Sequence, residues 1–412
     1  MKRHTTVGRG GLLSAVILLS ALVGALVASS AAAQTGTTGA SGGAKTLYII
    51  GGYETKGESS QAVPNYDDGA KLAVQDLTKQ GWTVKYERTP ASGTIASSQE
   101  QAFLAAQAKN PDFWIGLTSS NVFIPVGPKI AATDVPTFAL AAPTEGVRNG
   151  PSGGDNIYLL RPLNEQTYSK ITDYACGTLK LQKVGLNIVQ TSFGSTAQQA
   201  INNTVKRYPK CKIVTTQTNS ATATDLTQQV LAYKDAGVDG VITASFPNPT
   251  GVLINQMRQN GLNVPIVGGA SVNLAKDSNA LTSGVSNLYV VDDCVPDLGK
   301  SKAEKQFTKA YESAYSYPPN YASAQVYDAF HMAANVIEKT GSHDYAKLNK
   351  AMGAMVYDGI CDYKIDKNNV LANSVTLYKY KDDGTKSLIK VIPLDYVPSE
   401  ELATTTTAAP SG

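Results

Sequence analysis

The chain is expected to fold as an α/β protein with two lobes, each built on a parallel central sheet. Three observations predict this. A short apolar strand followed by an amphipathic helix recurs as one pattern written twice, from Thr46 to Pro162 and again from Asn164 to Asp292. Strands separated by helical patterns make βαβ units, and these give parallel sheets. The segment between the two low-complexity ends is also too long for a single core, which rarely grows past about 250–300 residues.

Taken in order, Thr46 to Gly52 reads as a buried first strand that ends in glycines. Asn65 to Gly81 follows as a helix, with Ala70, Leu72, Ala73, Val74 and Leu77 on its apolar face and Gly81 as its stop. Val84 to Arg88 is a strand, and Ser97 to Lys109 a helix with Phe103 and Leu104 inward. Strand 113–117, helix 122–132 and strand 136–141 complete the first half. In the second half, helices are expected over 165–179, 196–208, 225–236 and 250–260, and strands over 184–190, 212–216, 238–244, 265–268 and 287–291. Beyond Asp292 the pattern changes to two helices, 302–315 and 322–340, and then a β-like end over 363–365, 375–380 and 388–392.

The N-terminus reads as a signal peptide over 1–33. Lys2, Arg3 and Arg9 form the charged region, and Leu12 to Val27 is apolar but short of the roughly 20 residues a spanning helix needs. Ala31-Ala32-Ala33 places cleavage before Gln34, with an uncleaved anchor as the alternative. No cysteine lies near that point, so a lipobox is missing, and the product is expected to be exported, periplasmic or extracellular. Residues 34–44 read as a flexible leader and 399–412 as a disordered tail. The precursor has 36 basic and 33 acidic residues; three of the bases leave with the signal and no acid does, so the mature formal charge is zero. That balance gives no reason to expect nucleic acid or an anionic membrane as partner. The four cysteines, Cys176, Cys211, Cys294 and Cys361, are an even number without CxxC spacing, which in an exported protein favours disulfides. His331 and His343 alone are too few for a metal site, and no metal or cofactor is expected.

Ligands of parallel α/β sheets bind beyond the carboxyl ends of the strands. The loops of interest are therefore 51–61, 118–121, 141–145, 191–195, 245–249 and 268–273. Ser119, Ser120 and Asn121 end a strand just before a helix. A hydroxyl there caps the helix or, with the free N–H groups, receives an anion. Phe193 and Phe246 at strand ends, and Tyr53 near the first, can cover an apolar ligand body or serve as core. No nucleophile elbow, P-loop or dinucleotide fingerprint is present in the mature chain.

Several segments in this order resemble the type I periplasmic binding proteins, the leucine/isoleucine/valine-binding branch that serves ABC importers. They are Trp114 to Ser120 with Val135-Pro136, Tyr158 to Pro162, Ser192-Phe193-Gly194, 225–240, Gln256 to Gly261 with Val264-Pro265, and Tyr327-Asp328-Ala329. The resemblance implies two Rossmann-like lobes joined by a three-strand hinge. Lobe 1 is then 45–161 plus 294–360, and lobe 2 is 162–293 plus 361–398. It also implies a monomer that closes on a small solute and is read by a membrane permease. A ligand carboxylate is expected at Ser119 and Ser120, with Ser120 preferred, and Ala141, Ala142 and Thr144 are expected on the facing loop. Cys176 and Cys211 flank one strand of lobe 2 and are paired, which leaves Cys294 with Cys361 on the second and third crossovers; four unpaired buried thiols are the alternative. One departure stands out. Amino-acid binders of this branch hold the ammonium with an acid where this chain has Gly268 to Asn273, which contains none. Leucine is then not expected as a tight ligand unless Glu58 or Glu145 reaches the ammonium, and an aromatic acid, amide or polyol becomes a candidate. A ligand-sensing ectodomain, or an enzyme with unrecognised cleft chemistry, are the alternatives to transport.

Overall fold

The structure is a computed structural model that describes residues 45–57, 60–89, 91–93, 95–140 and 153–395. Ala141, Ala142, Thr144, Glu58, Glu145, the signal segment, the leader and the tail lie outside the described residues. The first sheet contains β1 (Thr46–Gly51), β2 (Thr83–Arg88), β3 (Phe113–Gly116), β4 (Thr137–Ala139) and β5 (Ile157–Leu159). Its order is β2-β1-β3-β4-β5, and all pairs are parallel. Helices α1 (Val63–Lys79), α2 (Ala96–Gln107) and α3 (Ser120–Ala131) lie in its connections. β3, β4 and β5 are buried along their whole length. They are sandwiched between helices, which is why their sequences read as continuous apolar runs. Phe103 faces inward on α2, but Leu104 is 52% exposed, so only one of that expected pair belongs to the core.

The second half contributes α4 (Asn164–Thr172), which continues as a π-helical stretch over Asp173–Thr178. Then come β6 (Lys183–Val189), α5 (Ser192–Val205), β7 (Lys212–Asn219), α6 (Thr227–Asp235), β8 (Gly240–Ala244), α7 (Pro247–Gln259), β9 (Ile266–Gly268), α8 (Ala270–Asp277) and β10 (Leu288–Asp292). After α9 (Lys302–Tyr315), α10 (Tyr321–Thr340) and α11 (Tyr345–Met352), β11 (Val356–Tyr357) pairs with β12 (Tyr363–Lys364). The chain then returns through β13 (Ser374–Tyr380) and β14 (Lys386–Pro393) to the second sheet, whose order is β14-β13-β10-β9-β8-β6-β7. The last two strands run antiparallel and the rest parallel. The segment 268–273, expected as a loop, is instead the end of β9 and the first turn of α8. α11, β5 and β11 were not anticipated as elements.

The C-terminal helices pack back on the first sheet. Gly69 of α1 permits this, because a Cβ there would lie 2.3 Å from the Ser323 carbonyl oxygen of α10. The three crossovers between the sheets run side by side. Leu159 N–H donates to Asn369 and Leu371 N–H donates back to Leu159, joining the first crossover to the third. Both disulfides form as expected. Cys176–Cys211 braces the approach to β7, and Cys294–Cys361 links the second crossover to the third.

Candidate functional site

A cleft with about 770 Å³ of empty volume, part of it open to solvent, lies between the two sheets. Much of its wall follows the carboxyl end of a parallel strand: Thr118 to Ser120 after β3, Arg161 after β5, Phe193 after β6, Phe246 after β8, Gly269 after β9 and Asp293 after β10. Helices add Tyr66 from α1, Tyr168 from α4 and Tyr321 from α10.

The turn after β3 is shaped by Leu117, whose φ of +57° is a left-handed conformation that a side-chain-bearing residue seldom adopts. It sends Thr118, Ser119 and Ser120 along the cleft wall. Thr118 donates its hydroxyl proton to the buried Glu54 carboxylate, which holds the turn from behind. Ser119 is the N-cap of α3, yet its side chain makes no capping bond. It is 5% exposed, and its Oγ is buried without a hydrogen-bond partner among the described residues. Simple capping therefore does not account for Ser119. Ser120 opens the helix and also lines the cleft.

On the second side, α5 begins at Ser192, four residues before the helix expected from sequence, because Thr191 supplies its cap by accepting from the Gly194 N–H at 3.4 Å. Gly194 is obligatory there, since a Cβ would fall 1.9 Å from the Val189 carbonyl oxygen. Phe193 is thereby carried on the first turn of α5. Its ring lies 5.7 Å from Phe246 and 5.9 Å from Tyr168, forming one aromatic wall. Tyr53 is not on that wall. It is fully buried, its ring packs on Tyr66 at 5.1 Å, and its hydroxyl meets that of Tyr86 at 3.1 Å, so it belongs to the core of the first half.

The charged pair at the cleft was not foreseen. Arg161 Nε donates to Asp293 Oδ2, and the guanidinium sits 4.7 Å over the Tyr321 ring. Burial works against the charge on Arg161, but the facing Asp293 carboxylate outweighs it and holds the pKa above the ordinary value. Burial also raises Tyr66, Tyr168 and Tyr321, the last to about 12, so these hydroxyls stay protonated. The sequence signal was a lone arginine at the end of the apolar run Ile157 to Leu160, and an acid pair, Asp292-Asp293, closing another. The region 268–273 indeed carries no acid, but Asp293 brings one to the cleft from the second crossover.

The two sides already touch. Asn121 Oδ1 on α3 accepts from Ser192 N–H at 3.2 Å and from Ser192 Oγ at 2.6 Å. Asn320 Nδ2, which belongs to the cap of α10, donates to Asp277 at the end of α8 at 3.1 Å. Replacing Asn121 by alanine removes the first contact. Neutral hydrogen bonds contribute about 0.5–1.5 kcal/mol each. The variant is expected to populate more open forms, read as a larger radius of gyration by small-angle scattering, and an unchanged radius would show that this contact does not hold the cleft closed. Among the described residues, no cluster of three or more His, Cys, Asp or Glu side chains is placed to hold a metal ion.

The periplasmic binding protein family model matches residues 52–385. Similar solved structures include the branched-chain amino acid transporter substrate-binding protein LivJ from Streptococcus pneumoniae in complex with isoleucine. It is 19% identical, the match covers 85% of this chain and 99% of that one, and the TM-score is 0.73. The leucine-binding protein LivK from Thermotoga maritima is 17% identical over 84% of this chain and 99% of its own, with a TM-score of 0.73. An ABC transporter solute-binding protein from R. palustris, in complex with benzoate, is 16% identical over 87% of this chain and all of its own (100%), also at 0.73. At such identities these likenesses establish the fold. No curated protein matches the chain in sequence.

Proposed function

Because the chain belongs to the periplasmic binding protein family, which it matches over residues 52–385, we propose that it is the exported solute-binding component of an ABC importer. It takes a small amino acid, carboxylate or amide between its lobes, closes on it, and presents the closed form to a membrane permease. It works as a monomer and catalyses no reaction. The observation that carries this reading is the convergence of loops from the parallel strands of both sheets on one cleft with an aromatic wall. Isoleucine and benzoate, the ligands of two structural relatives, each carry an apolar body of the kind such a wall can cover. Closure needs two arrangements of the lobes that the ligand binds with different affinity. Among the described residues no helix is long and apolar enough to cross a membrane.

A thermal-shift screen of amino acids, aromatic acids, amides and polyols tests the reading. A ligand at a hundredfold excess over Kd adds about 2.7 kcal/mol of stability. If a carboxylate is bound, Ser120→Ala is expected to weaken it by about 1.5–3 kcal/mol, the contribution of a hydrogen bond to a charged group. Calorimetry giving an unchanged affinity would take Ser120 out of the site.

A further inference from the structure

If a solute is held in this cleft, as proposed above, the charges there say what its head group is. Arg161 leaves β5 on the first crossover and Asp293 leaves β10 on the second, so the ion pair is carried by the hinge itself. The pair engages only the Nε of Arg161. A guanidinium offers five N–H donors in a planar fork. The two Nη groups of Arg161 have no acceptor among the described residues, and the residue lines the cleft. Ser119 adds a second unmet group, a buried Oγ without a partner among the described residues. The N-termini of α3, α7 and α8 border the same space through Ser119, Pro247 and Ala270. Each helix start carries about half a positive charge.

Arg161 and Asp293 cancel as whole charges. What remains is a surplus of donors and of partial positive charge, with one fork whose geometry matches a planar pair of oxygens. We propose that Arg161 reads the head group of the solute by pairing its Nη groups with a carboxylate, whose apolar body lies against Phe193 and Phe246. Asp293 is a positioning residue: by holding Nε it fixes the plane and direction of the fork. The second oxygen of Asp293 forms no hydrogen bond to a described residue, so the site admits a bare acid and leaves an acceptor within the cleft for a further donor on the solute.

Isothermal calorimetry with benzoate, phenylalanine and benzamide tests this. The unaltered protein is expected to bind at least one of the two carboxylates about 30-fold or more tighter than the neutral amide. Arg161→Gln alone leaves Asp293 buried without its partner and risks unfolding. The double variant Arg161→Gln with Asp293→Asn removes both charges together. It is expected to stay folded by circular dichroism and to lose about 30–100-fold for the carboxylate, with benzamide changed by less than about threefold. Arg161→Lys keeps the charge without the fork and is expected to lose about tenfold. Asp293→Asn keeps an acceptor for Nε but removes the cancelling charge, and is expected to raise the carboxylate-over-amide ratio, which a purely structural role would leave unmoved. A folded double variant that binds the carboxylate as tightly as the unaltered protein would overturn the inference while the solute-binding reading stands. So would tight binding of a neutral solute with no response to either carboxylate. Failure to bind any solute in the broader screen removes that reading and this inference with it.

Discussion

Replacing Cys294 and Cys361 together by serine is expected to lower the stability of the oxidised protein by about 4 kcal/mol, the chain-entropy value for a loop of their spacing. The two cysteines are 67 residues apart in sequence, against 35 for Cys176 and Cys211, so the hinge bridge constrains the unfolded chain more. The bridge joins the second and third crossovers, which the proposed closure of the lobes would move least, so its loss is expected to leave solute affinity nearly intact. Urea unfolding of the variant beside the unaltered protein, with calorimetry on both, separates the two effects. A shared unfolding midpoint would mean that the bridge does not restrain the unfolded state.

Asp328→Ala is expected to cost about 2–5 kcal/mol, because two buried backbone donors lose their acceptor. The carboxylate is fully buried on α10. It accepts the Ile360 N–H through both oxygens at 3.0 Å and the Cys361 N–H at 2.7 Å, beside the hinge disulfide. Asp328→Asn keeps a carbonyl acceptor and is expected to lose less. The same group makes stability depend on pH. Burial pushes its pKa up to about 8, against the pull of those two N–H groups. Asp292 is raised in the same sense, to about 7, by burial and then by Asp293. Between pH about 4 and 8 the unfolded acids ionise while the folded ones keep their protons. The folded state therefore binds more protons across this window, and stability falls as pH rises. Urea midpoints measured from pH 5 to 8 are expected to decline, and the slope is expected to flatten in Asp328→Asn. Burial lowers the pKa of His331 to about 4, which pulls the other way below about pH 6.5, so a midpoint that rises between pH 6.5 and 8 would show that the two carboxyls are ionised in the folded state.

The architecture was legible wherever a strand is covered on both faces, because such strands are unbroken apolar runs. Phe113 to Gly116 and Gly240 to Ala244 are of this kind. The three residues of β5 were hidden in a crossover, and α8 is only eight residues long and follows directly on Gly268-Gly269, a pair that reads as a loop. Within the site, the placements of Ser119, Ser120, Phe193 and Phe246 on the cleft follow from the rule that ligands meet strand ends. Tyr53 obeys the same rule in sequence but not in space, because its phenol is turned toward Tyr86. Arg161 and Asp293 escaped because they are 132 residues apart. Nothing local marks them as partners; only the side-by-side crossovers bring them together.

The return of β13 and β14 to the second sheet has a consequence for the order in which the molecule can be assembled. A chain emerging N-terminus first can form β6 to β10 and the Cys176–Cys211 link well before residues 374–393 exist. Until then β10 is an edge strand with one row of backbone groups unpaired, a template for association with another chain. Its sequence, Leu-Tyr-Val-Val-Asp, offers one charge, at its end. The last twenty or so described residues thus act as a built-in cover for the half-made sheet, and the second disulfide can close only late in the emergence of the chain, because Cys361 lies about a dozen residues before β13. Truncation before Ser374 is therefore expected to yield an aggregating chain, even though it leaves every residue named in the cleft in place.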